Sequence, residues 1–150
     1  VSVEISPLTT ILKETGPARV TISTVGVSSR DPLVRHKTTH RGWRDEELRK
    51  ARADGFDEVI FLNERGEVTE GAITNLFVEA DGRLLTPPAA CGLLEGIRRR
   101  RMLADRSLRA SERVLYPEDL MTCRRILLTN SVRGVVPAVL STSPAGRPGP

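Results

Sequence analysis

A mixed α+β fold is predicted by three observations. Short runs rich in β-branched residues recur along the chain, tight-turn signals separate them, and a few charged, Gly- and Pro-free stretches interrupt them. Residues 1–16 mix short apolar runs with turn formers and specify no element. Residues 19–27 alternate and are β-branched, which predicts a strand. Asp31-Pro32 marks a loop. Residues 43–53 are charged and stopped by Gly55, which predicts a short exposed helix. Residues 58–62 form a strand, Asn63-Glu64-Arg65-Gly66 a turn in which Gly supplies a positive φ, and residues 67–70 the returning strand. Residues 75–79 form the next strand, turned by Asp81-Gly82 into residues 83–86. Pro87-Pro88 ends that strand. A helix runs from about Gly96 to Ala104 or beyond, with Ile97, Arg101 and Ala104 or Leu108 able to share a face. Residues 111–115 are a short strand, Pro117 opens a helical turn, and residues 125–129 and 135–140 are further strands. Residues 141–150 cannot bury anything, and a disordered tail is expected there. There is no internal repeat.

The length of 150 residues suits one domain, over residues 1–140, followed by the tail. The apolar fraction of 39% supports a core built on Leu, Val, Ile and Ala, because aromatics make up only 3%. The net charge of +4 raises the question of nucleic acid, but the basic residues are interleaved with 19 acids. The dense run Arg98-Arg99-Arg100-Arg101 points in four directions on a helix, so it reads as a solvated helix with one Arg able to face an anionic ligand. Cys91 and Cys123 lack CxxC spacing, which argues against a disulfide framework or a zinc site. No signal peptide and no apolar run of spanning length is present, so a soluble, cytoplasmic protein without nucleic-acid, membrane or metal partners is expected. The chain enters sheet-like sequence directly at Val1, which suggests a missing upstream segment.

Lys37 is the candidate nucleophile. Of 23 basic residues only Lys13, Lys37 and Lys50 are lysines, and Lys37 lies within Arg35-His36-Lys37-Thr38-Thr39-His40-Arg41. Lys, unlike Arg, loses its proton when desolvated or placed beside other cations, and can then act as a Schiff-base amine. A solvated surface lysine is the alternative. Glu70, at a strand end before Gly71, offers either a functional carboxylate or an exposed edge charge. The helix start at Gly96-Ile97-Arg98 offers unpaired amides to an anion. Asn130-Ser131, after a buried strand, offers a turn cap or phosphate hydrogen bonds. An amine, a carboxylate for a ring nitrogen, and a helix end with hydroxyls for a phosphate are together the parts that pyridoxal phosphate chemistry requires.

The order and spacing of His36-Lys37-Thr38-Thr39, Thr69-Glu70-Gly71 to Asn75-Leu76-Phe77, Thr86-Pro87-Pro88, Gly92-Leu93-Leu94 to Gly96-Ile97-Arg98, and Leu127 to Ser131 resemble the class IV, fold-type-IV pyridoxal phosphate enzymes. That family holds branched-chain and D-amino-acid aminotransferases and aminodeoxychorismate lyase, and the setting of Lys37 is most similar to the lyase. The resemblance covers residues 19–138. It implies a D-amino-acid aminotransferase-like fold, here its C-terminal domain only, and pyridoxal 5'-phosphate as cofactor. It further implies Lys37 as Schiff base and proton shuttle, Glu70 at the pyridine nitrogen, and Leu94 near the ring. The amides of Ile97 and Arg98, with Ser131 and Asn130, would hold the phosphate, and Asn75 would buttress the loop carrying Glu70. The implied reaction converts 4-amino-4-deoxychorismate to 4-aminobenzoate and pyruvate, in a homodimer fused to or paired with an aminodeoxychorismate synthase component. Two departures stand out. Nothing matches the family's N-terminal domain, and the Tyr that its aminotransferases carry five residues after the lysine is Gly42 here, followed by Trp43. An aminotransferase of the same fold, and a truncated chain that folds and self-associates through an exposed apolar face without catalysis, are the alternatives.

Overall fold

The computed structural model describes residues 16–142. Among them eight strands form one mixed sheet: β1 (Ala18–Ile22), β2 (Glu58–Leu62), β3 (Val68–Gly71), β4 (Asn75–Ala80), β5 (Arg83–Thr86), β6 (Ala110–Glu112), β7 (Arg125–Asn130) and β8 (Gly134–Leu140). The strand order is β3-β2-β1-β8-β7-β4-β5-β6. β1 runs parallel to β2 and β8, and β5 parallel to β6; the other neighbours are antiparallel. Three helices accompany the sheet: α1 (Gly42–Ala53), α2 (Ile97–Ala104) and α3 (Pro117–Thr122).

Alternation along the strands assigns the two faces. Ile60, Leu76, Val78, Ile126, Leu128 and Ala138 point to a cluster that α3 joins through Leu120. Val59 and Phe61 point the other way, onto Leu48 and Ala51 of α1. Phe77 and Leu127 meet Met102 of α2 on that second face. Phe61 and Phe77 are fully buried, and each contributes roughly 2–3 kcal/mol by leaving water.

Several boundaries differ from the sequence expectation, for local reasons. β1 stops at Ile22 instead of running to Val27, because Ser23 Oγ accepts from Val25 N at 2.9 Å and competes with the ladder; Val27 returns as an isolated bridge to Asn63. β6 covers Ala110–Glu112 instead of 111–115, because its partner β5 ends at Thr86 before Pro87; the Leu115 carbonyl instead accepts from Val68 N at 2.8 Å. The Ile97 and Arg101 face of α2 is solvent-exposed, and the helix buries Arg99 and Met102 instead. Arg99 is fully buried and donates to the Pro87 carbonyl at 2.7 Å, while Arg100 and Arg101 lie in solvent. The expected disordered tail falls mostly outside the described residues, but Ser141 does not: its amide donates to the Val20 carbonyl at 2.9 Å and extends the sheet. The hairpin at Asp81-Gly82 has φ of 51° and 69°, as the Asp-Gly pair requires. Cys91 and Cys123 are free thiols.

One buried carboxylate shapes the turn that follows β3. Glu58 is 1% exposed. It accepts from the amides of Val59 (3.0 Å), Ala72 (3.0 Å) and Ile73 (3.2 Å), and from the Thr74 hydroxyl (3.0 Å). Gly71 is required beside it, since a Cβ there would lie 2.4 Å from Thr74 Oγ1 and 2.9 Å from Glu58 Cδ. Glu58→Ala leaves the loop donors buried without an acceptor, and a loss of about 3 kcal/mol or more is expected. Urea unfolding of the purified chain measures it; a loss under about 1 kcal/mol would show that the loop does not depend on this carboxylate.

Candidate functional site

The loop that Glu58 holds presents Glu70 and Asn75 to a cavity of about 410 Å³. The cavity lies on the helical face of the sheet, where β3 and β7 end, β4 begins, and the N-termini of α1 and α2 approach. It brings together every residue singled out from the sequence: Lys37, Glu70, Leu94, Ile97, Arg98, Asn130 and Ser131 all line it.

Glu70 is not an exposed edge charge. It is 6% exposed and held at both oxygens. Oε1 accepts from Arg44 Nη1 at 2.7 Å; Oε2 accepts from Asn75 Nδ2 at 3.1 Å and from the Leu94 amide at 3.2 Å. Burial raises its pKa to about 7, against the lowering by the Arg44 charge and the Leu94 amide. Leu94 therefore meets the carboxylate through its backbone as well as lining the cavity.

Asn75 ties the carboxylate to the start of α2. Its Nδ2 also donates to the Leu94 carbonyl at 2.7 Å, and its Oδ1 accepts from the Gly96 amide at 3.2 Å. Gly96 is needed there, because a Cβ would come within 2.3 Å of Asn75 Oδ1. The amides of Ile97 and Arg98 precede the first intrahelical bond, Arg100 N to the Gly96 carbonyl at 3.0 Å. They are the unpaired donors of a helix start beside the cavity.

The opposite wall comes from the turn after β7. Asn130 builds that turn: its Oδ1 accepts from the amides of Val132 (3.0 Å) and Arg133 (2.7 Å), and its Nδ2 donates to the Ile73 carbonyl at 3.2 Å. Ser131 is exposed at its apex, and the Arg98 guanidinium lies near Gly134, 3.3 Å from where a Cβ would stand. Lys37 lies on the loop before α1 and is exposed. The desolvation that the sequence reading attached to an amine nucleophile is thus not supplied by the described residues.

Sequence reasoning missed Glu58, Arg41, Arg44 and Thr129. Arg41 donates to Asp45 at 2.9 Å and to the Ala72 carbonyl, fixing the loop that follows β3 to the start of α1. Arg44 is 8% exposed, and its guanidinium carbon lies 5.1 Å from the Trp43 ring centroid and 5.3 Å from that of Phe61. Arg44 Nη2 and Thr129 Oγ1 are buried without a partner among the described residues. No sequence signal separates Arg44 from the other arginines of α1, since its burial depends on Phe61 from a distant strand.

The donor set fits a phosphorylated, nitrogen-containing ring. A buried carboxylate faces one part of the cavity, a helix start and a hydroxyl face another, and an amine stands at the rim. The sequence model of amino-transferase class IV matches residues 1–140. A curated relative, a putative aminodeoxychorismate lyase of Schizosaccharomyces pombe, is 30% identical over 96% of this chain and 63% of its own. The crystal structure of a putative 4-amino-4-deoxychorismate lyase from Legionella pneumophila superposes with a TM-score of 0.81 at 26% identity, covering 90% of this chain and 52% of that one. The branched-chain amino acid aminotransferase of Thermobaculum terrenum, solved in its PLP form, gives 0.78 at 25% identity, covering 91% and 48%. The chain thus spans less than two-thirds of the length of each.

The raised pKa of Glu70 has a signed consequence for stability. Its folded value of about 7 exceeds the ordinary 4.5. The fold therefore binds the Glu70 proton more tightly than the unfolded chain does, and this contribution is complete below about pH 4.5 and lost as pH rises through 7. Glu70→Gln removes that dependence. The stability of the variant relative to the parent should rise by about 3 kcal/mol between pH 4.5 and pH 8. Urea midpoints across that range test it, and parallel pH profiles would refute the assignment.

Proposed function

Because the chain belongs to the amino-transferase class IV family, we propose that it is the cofactor-carrying part of a pyridoxal-phosphate-dependent aminodeoxychorismate lyase. The reaction proposed is 4-amino-4-deoxychorismate to 4-aminobenzoate and pyruvate. The observation that carries the reading is the convergence of Lys37, Glu70 and the α2 start on one cavity. The Schizosaccharomyces pombe relative, which aligns with nearly the whole chain, favours the lyase.

The residues present take distinct parts. The Ile97 and Arg98 amides and the Ser131 hydroxyl would hold the phosphate, with the helix dipole adding attraction for its charge. Glu70, locked by Arg44, Asn75 and Leu94, would accept the hydrogen bond of the protonated ring nitrogen. Pyridoxal phosphate, when bound, supplies an aldehyde that captures amines and a ring that takes up electrons released at the neighbouring carbon. Lys37 would anchor it covalently and then, as the free amine, remove the proton from the amine-bearing carbon of the substrate. The C–O bond to the enolpyruvyl group would then break, the released enolpyruvate would take up a proton to become pyruvate, and the ring would become aromatic.

An aminotransferase of the same fold is the second reading, favoured by the likeness to the Thermobaculum terrenum enzyme. Self-association belongs to the proposal as well. Val135 and Val139 are 43% and 45% exposed although β8 lies inside the sheet between β1 and β7, and a second copy covering them is expected to dimerise the chain. Sedimentation should show dimers that Val139→Asp weakens; a monomer at all concentrations refutes this part.

Reduction with borohydride in the presence of pyridoxal phosphate, followed by peptide mapping, should place a pyridoxyl group on Lys37. Lys37→Ala should abolish the adduct, and Lys50→Ala should leave it. No adduct at saturating cofactor would overturn the reading. Formation of 4-aminobenzoate and pyruvate in a 1:1 ratio supports the lyase, whereas keto-acid-dependent amino transfer replaces it with the second reading.

A further inference from the structure

Arg44 occupies a position that local physics disfavours. It is a cation in the first turn of α1, where the helix dipole favours acids. It is buried, yet its Nη2 has no partner among the described residues. Both costs accompany one contact, the 2.7 Å bond from Nη1 to Glu70. The guanidinium is held there in a slot. Trp43 and Phe61 meet edge to face with centroids 5.1 Å apart, and the guanidinium carbon lies within 5.3 Å of both rings. When a chain accepts two local penalties at one residue inside a site, the residue is expected to serve that site.

We propose that Arg44 is a positioning residue that keeps Glu70 ionised and aimed into the cavity, and thereby sets the pH range over which a pyridine ring nitrogen is held. This rests on the cofactor reading above. Glu70 has two neighbours on Oε2, Asn75 and Leu94, that fix its direction but bring no net charge. Burial disfavours its carboxylate form, and the Arg44 charge opposes that effect directly; the Arg41 charge adds to it from one turn earlier. The remaining charged and titratable groups on the cavity wall are Lys37, His36 and His40 on the loop before α1, Arg98 on α2 and Arg133 on the turn before β8. Asp31 adds a carboxylate on the loop side. None of these has a hydrogen bond or ion pair to Glu70 among the described residues. A ring nitrogen that carries a proton finds a carboxylate acceptor only while Glu70 is charged. Loss of Arg44 moves the balance toward the neutral acid, which cannot serve as that acceptor at the same pH.

The test uses the full chain and pyridoxine 5'-phosphate, which cannot react with Lys37. Binding is followed by quenching of Trp43, the single tryptophan, which lines the cavity. The parent should bind with an acid limb, and Arg44→Met should move that limb upward by about one pH unit or more and weaken binding at pH 7 about tenfold. Arg44→Lys should restore part of the shift. In a Glu70→Gln background Arg44→Met should produce no shift, because Arg44 acts through Glu70. If Arg44→Met does not fold, Arg44→Gln keeps a donor for Oε1 without the charge and should show the same upward limb. An unmoved limb in the Met or Gln variant overturns the inference, as does an equal loss of binding in both backgrounds, which marks a merely structural role. A parent chain that binds pyridoxine 5'-phosphate but shows unmoved limbs in the variants sinks this inference alone. A parent that neither binds it nor yields the Lys37 adduct sinks the cofactor reading with it.

Discussion

The site depends on holding one carboxylate out of water. Glu70 ends a buried strand, and at a depth where ionisation is disfavoured it is surrounded by a cation, an amide side chain and a backbone N–H. Each of those partners belongs to a different segment: Arg44 to the first helix, Asn75 to the fourth strand, Leu94 to the loop before α2. Bringing the three to one side chain requires the sheet, the helix and the loop to be in place together. The carboxylate therefore links the site to the fold as a whole.

A second buried acid, Glu58, solves a different problem. The chain turns sharply between β3 and β4, and a turn of that kind leaves amide groups without sheet partners. Glu58 gathers the Ala72 and Ile73 amides and the Thr74 hydroxyl from the neighbouring strand. Among the described residues no cation pairs with it as Arg44 pairs with Glu70, and burial raises its pKa. The two acids are thus separated by role. One shapes the loop from behind, and the other faces the cavity with an arginine to offset its desolvation.

The rest of the cavity is positively biased. Lys37, Arg41, Arg44, Arg98 and Arg133 line it, against Glu70 and Asp31. A helix start adds its own positive end. Such a wall suits an anionic ligand with one basic ring atom, and it suits poorly a neutral or cationic one. Lys37 stands exposed at the rim of this wall.

Much of this was legible in the chain alone. The strands at Glu58–Leu62, Arg83–Thr86 and Arg125–Asn130, the Asp81-Gly82 turn and the helix after Gly96 follow from period-two alternation, turn residues and helix signals, all of which are local. The grouping of Lys37, Glu70, Ile97 and Ser131 was legible as well, through a resemblance in motif order. The burial of Arg44 and the charge balance of Glu70 were not. A charged residue on a charged helix carries no mark of which strand will cover it, and Phe61 and Glu70 reach Arg44 only once β2 and β3 have paired. β6 ended early because its neighbour β5 stops at Thr86, and β1 because the Ser23 hydroxyl competes with the ladder. The sequence determined the local periods and the identities of the reactive groups. The tertiary structure decided which polar atoms lost water and who their partners became, because desolvation is a property of what packs around a residue.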